Sequence, residues 1–212
     1  MLSAVTAAVL AVTGLSACRS KVGAAAVVDG KRISESEVQS YLTSTGPTKA
    51  ALDRAKQAGQ TLVPRSLAAN TLVQQKVFEQ ALARTAGGVP PADALNALHD
   101  KAASTLLGTT EAGAVLDKDI ASSLEAEGLQ AKFLPLFIRQ IELEYALIER
   151  VKATTAAELA KVIADQHVNV SVNPRYGAWD ASTFQLSTTP NAGLPDFLQP
   201  APAASSSPAA SS

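Results

Sequence analysis

The chain has 212 residues, 47% of them hydrophobic, and a formal net charge of -1, which leaves room for one good-sized domain plus termini. Its 18 Lys and Arg against 19 Asp and Glu form no basic block, so the electrostatic footprint of nucleic-acid binding is missing. Aromatics are scarce at 4%, so Ala, Leu and Val carry the apolar content and favour closely packed helices, while the single cysteine excludes an internal disulfide or a site of two thiolates.

Residues 2–17 form an apolar run ending in small residues, like the h-region of an export signal and short for a bilayer span. Leu15-Ser16-Ala17-Cys18 resembles the bacterial lipobox, although no Lys or Arg precedes the run. That resemblance implies a signal peptide over 1–17, acylation of Cys18, which becomes the new N-terminus, and a lipidated tether over 18–23. The implied location is extracytoplasmic, on the outer face of the cell membrane.

Next comes a buried strand over 24–28, continuously apolar, followed by Asp29-Gly30 as turn chemistry. Ser34 and Glu37 make a capping box, with Ile33 stapled to Val38 and a helix face of Val38, Tyr41 and Leu42. Gly46-Pro47 breaks this helix, and Thr48 caps a weak second one over 49–58. Pro64 opens a core helix through Leu72, Val73, Val77, Phe78, Ala81 and Leu82, stopped by Gly87-Gly88.

Pro90-Pro91 starts one amphipathic helix to Gly108, and another runs from about Glu111 to Ala126. The strongest pattern covers 133–151, where two apolar stripes predict a central helix buried on two sides. Thr155 with Glu158 is a second capping box, after which Val168, Val170 and Val172 alternate as a strand ended by Asn173-Pro174. A lone strand leaves its backbone unpaired, so 24–28 should pair with 168–172. From 190 to 212 the composition turns to Pro, Ala and Ser, the signature of a disordered tail.

Signatures of catalysis are absent: there is no nucleophile elbow, phosphate loop, dinucleotide fingerprint or H-E-x-x-H. No catalytic residue, metal site or cofactor is expected. His99 falls in a polar stretch and His167 at a helix end, and neither has Glu three residues upstream. Glu142 and Glu144, like Glu125 and Glu127, are two apart and read as solvated, with Arg139, Arg150 and Lys152 as surface partners. The one polar and aromatic cluster is NPRYGAWD over 173–180, whose Arg175, Tyr176 and Trp179 either close the end of the strand pair or form a small interaction surface.

VVDGKRISESEV resembles the opening of the N-terminal chaperone domain of SurA-like, parvulin-type folding factors. Leu72-Val73, Val77-Phe78, Ala81-Leu82 and Gly87-Gly88-Val89 are similar to that family's helix and glycine turn, and VSVNPRYGAWD to the close of short SurA-N-like lipoproteins of high-GC Gram-positive bacteria. The resemblance covers 24 to about 180. It implies a mainly α, SurA-N-like helical domain over 24–189, closed by a small two-stranded pairing of its N- and C-terminal strands. Nothing between the central helix and the tail could supply a parvulin isomerase domain of about a hundred residues, so the implied function is a membrane-anchored chaperone-like lipoprotein binding unfolded or exported polypeptides, without isomerase activity. The alternatives are a scaffolding lipoprotein that binds one folded partner, and an enzyme related to prolyl isomerases.

Overall fold

The computed structural model describes residues 23–187. Within them the protein is mainly helical, with two small antiparallel sheets. Strand β1 (Ala24–Val28) lies in the middle of a three-stranded sheet, between β2 (Lys31–Ser34) and β3 (Val170–Val172). Val28 pairs with Lys31 across a two-residue turn in which Asp29 and Gly30 both have positive φ, 48° and 77°, the twist-matched geometry of a type I′ hairpin. The sequence pattern identifies the turn but not β2, whose Lys31 and Arg32 are exposed and leave only Ile33 to mark a buried face.

The expected joining of the chain's distant strands is present. Ala26, Val27 and Val28 pair with Val172, Ser171 and Val170. Val168 and Asn169 fall outside the strand, where Asn169 is instead held by Asp29: the Asp29 amide donates to the Asn169 carbonyl at 2.8 Å and Asp29 Oδ1 accepts from the Asn169 amide at 2.9 Å.

Helix α1 (Glu35–Ser40) starts on the Ser34–Glu37 capping box, whose two bonds measure 3.0 and 3.4 Å. It stops before Leu42, because Tyr41 and Thr43 turn their backbones to Gln130 and Gly128 and Leu42 bridges to Leu129. Thr48 caps α2 (Lys49–Gln57), which buries only Ala51. The long helices α3 (Pro64–Arg84) and α7 (Leu134–Val151) make the most extensive contact between helices. Leu72, Val73, Phe78 and Leu82 of α3 meet Leu143 and Leu147 of α7 in the main core.

A second, smaller cluster lies on the other side of α7, where Ile141 and Tyr145 pack with Ala102, Ala103 and Leu116. The two apolar stripes thus serve two interfaces. The single helix expected between Pro91 and Gly108 is two, α4 (Ala92–Asn96) and α5 (His99–Leu107). They part where the Leu98 amide bonds the Leu95 carbonyl at 2.8 Å, a tightened 3₁₀-type step that breaks the α register.

Helix α6 (Gly113–Ala126) begins two residues later than expected, with the Gly113 amide donating to Asp100 Oδ1 at 3.0 Å. A 3₁₀ turn (Ala131–Phe133) leads into α7, and α8 (Ala156–Asp165) uses the Thr155–Glu158 capping box. After β3, a 3₁₀ turn (Pro174–Tyr176) leads to a hairpin of β4 (Ala178–Asp180) and β5 (Gln185–Ser187), which the sequence pattern does not announce. Two amides of α3 hold it, Asn70 Oδ1 accepting from the Leu186 amide and Gln74 Nε2 donating to the Phe184 carbonyl, both at 2.8 Å. The expected signal peptide, Cys18 and the tail over 190–212 lie outside the described residues.

Candidate functional site

Asn173 organises the polar and aromatic cluster that follows β3. Its amide donates to the Ala25 carbonyl at 2.8 Å, and its side-chain oxygen accepts from the Arg175 amide at 3.2 Å, so the 3₁₀ turn is fastened to β1 and capped at once. Arg175 is exposed and forks onto Glu35 of α1, with Nη1 3.1 and 3.3 Å from the two carboxylate oxygens. Tyr176 is 1% exposed within the main core, and burial, then Glu35, pushes its phenol above the ordinary value. Trp179 is half-buried against the same core. Of the three residues expected to offer an interaction surface, Tyr176 is therefore withdrawn from it, and Arg175 already has a carboxylate partner.

An open apolar groove lies elsewhere. Leu67 of α3, Leu107 at the end of α5, Leu116, Ile120 and Leu124 of α6 and Phe137 of α7 line a concavity of about 310 Å³. Leu107 is 42% exposed although it is a large aliphatic side chain. The physical origin is local. Leu106 and Leu107 are adjacent, so one helix cannot turn both to the same face, and Leu106 takes the inner cluster while Leu107 is left on the rim. That doublet is the signal in the sequence, where Leu106 alone marks the stripe.

Asp119, Ser123 and Glu127 border the groove on the α6 side. Glu127 is half-buried, and desolvation raises its carboxyl pKa while the nearby Arg54 pulls it back. Leu67 and Glu127 also line a second, larger cleft of about 750 Å³ beneath the loop 59–63.

The expectation that Glu142 and Glu144 of α7 are solvated is overturned. Glu142 is 3% exposed, its oxygens 3.7 Å from His99 Nδ1 and 3.7 Å from Arg139 Nη1. Burial raises its pKa, and Arg139 and His99 oppose the rise. Glu144 is pushed up to about 7 by desolvation, against which the hydrogen bond from Gln140 Nε2 at 2.8 Å works. Arg150 is likewise no surface partner, since it donates to the Gly88 carbonyl and reaches Thr85 Oγ1 at 3.3 Å.

His99 opens α5 with a side chain 14% exposed, its Nε2 3.1 Å from Asp117 Oδ1 at ion-pair distance but without hydrogen-bond geometry. His99, Asp117 and Glu142 tie α5, α6 and α7 together beside the smaller cluster. His167 is exposed, in the left-handed conformation just past α8. Among the described residues no group of three or more His, Cys, Asp and Glu is arranged to hold a metal ion. No described helix is long and apolar enough to cross a membrane.

Glu144 and Glu142 are perturbed by packing against their own fold, whereas the groove gathers six apolar side chains around an open concavity with Leu107 exposed on its rim. Comparison with family models, with curated proteins and with solved structures finds no match to this chain.

Proposed function

We propose that the protein is a membrane-anchored, extracytoplasmic chaperone-like lipoprotein that holds unfolded or exported polypeptide segments in the groove between α3, α5, α6 and α7. The observation that carries the reading is the groove itself, six apolar side chains around about 310 Å³ with Leu107 exposed on its rim. Holding an unfolded chain needs accessible apolar surface and no bond making, so the absence of any recognised catalytic signature from the sequence is consistent with it. The anchor rests on the lipobox-like Leu15-Ser16-Ala17-Cys18. A scaffolding role built on the 173–180 cluster has a smaller footing, since Tyr176 is buried and Arg175 is paired with Glu35.

The test is suppression of aggregation of a chemically unfolded protein by the full-length chain. Leu107→Asp places a carboxylate where apolar groups of the held chain would sit, so holding should weaken by roughly tenfold while the melting temperature stays put. Undiminished holding by that variant, or none by the parent, would remove the groove from the function.

A further inference from the structure

The groove is not electrically neutral. Both charged residues among those that line it are acidic, Asp119 and Glu127, and the one cation near Glu127, Arg54, is not among the lining residues. Asp119, Ser123 and Glu127 recur at a spacing of four along α6 and its last turn, so they form one row beside the apolar row of Leu116, Ile120 and Leu124. At the helical rise of 1.5 Å per residue the two carboxylates stand about 12 Å apart along the axis, close to the length of four extended residues at about 3.3 Å each.

Asp119 is exposed and makes no hydrogen bond or ion pair among the described residues. Glu127 is half-buried, and its ionised form is only partly compensated by Arg54. A cation brought in by a ligand would answer both.

We infer that this groove selects, among apolar peptide segments, those that carry Lys or Arg flanking a stretch of about four extended residues, with Asp119 and Glu127 reading the two cations. The inference rests on the peptide-binding reading of the same groove. Anionic occupants are disfavoured by the same carboxylates, which sets aside phosphate groups and acidic lipid surfaces. The chain's own apolar residues Leu194, Phe197 and Leu198 surround Asp196 and no cation, so they fit the row poorly.

Three capped peptides with one apolar core, flanked by Lys, Glu or Ser, separate the possibilities when titrated against the full-length chain. The Lys peptide should bind about fivefold more tightly than the Ser peptide, and the Glu peptide more weakly than either. The preference should shrink as salt is raised. The double variant Asp119→Asn, Glu127→Gln should bring the three affinities together.

Equal binding of all three by the parent overturns the charge selection while leaving the groove a peptide site. Binding of none removes the peptide-binding reading and this inference with it. A chain that sediments as a dimer and becomes monomeric on Leu107→Asp would put a second copy in the groove and overturn the proposal.

Discussion

Glu144 shows how one side chain can set the pH range in which this fold is firm. Its carboxyl titrates at about 7 in the folded chain against 4.5 as the ordinary value, because desolvation favours the neutral acid. Folding therefore binds this proton more tightly than the unfolded chain does. The stability it contributes is fully present below about pH 4.5 and is lost as pH rises through 7. Glu144→Gln keeps an oxygen to accept from Gln140 and fixes the neutral form. At pH 8 the variant should be more stable than the parent by on the order of 2 kcal/mol, after allowance for its partial exposure, and at pH 4.5 the two should coincide. Denaturant melts at the two pH values check this, and an equal offset at both would trace the effect to packing.

At the scale of elements, the β4–β5 hairpin depends on a close approach at Gly177. Its φ is 110°, and a Cβ there would overlap the carbonyl oxygen of Ser187 on the facing strand. Gly177→Ala should part the two strands and cost more than about 2 kcal/mol. Gly88 also has positive φ, 62°, but open space around it, so Gly88→Ala should cost only about 1 kcal/mol. Comparable midpoints in urea for the two variants would contradict the steric account. The helices are what the sequence made legible, since Ser34 with Glu37, Thr155 with Glu158, and the stripes of α3 and α7 are local signals that the packing respected.

What stayed hidden has non-local causes. The β4–β5 hairpin is fixed by amides of Asn70 and Gln74 more than a hundred residues earlier, and its three-residue strands are too short to show a period. Burial of Glu142 depends on α5 and α6 folding over α7, with His99 and Arg139 alongside. Every apolar residue of the groove was visible as such, yet which of them remain open follows from where helices end, as Leu107 shows.

For the whole molecule, the anchoring half of the proposed function turns on Cys18. Buried acyl methylenes contribute about 0.8 kcal/mol each to membrane attachment, so loss of the thiol should release the protein. Cys18→Ser should take up no fatty-acid analogue in metabolic labelling and should leave the membrane fraction. Labelling as strong as that of the parent would disprove the lipobox reading. The pairing of β1 with β3 has a further consequence, in the order in which the protein acquires its structure. Ala26 meets Val172, so this contact closes nearly the whole described chain into one loop and must wait for that entropy to be recovered elsewhere. During synthesis β2 can cover one edge of β1 at once, while the other edge stays open until the last of the helices has emerged. Until then the nascent protein presents an unpaired strand edge of its own, the feature that makes incomplete chains adhere to their neighbours.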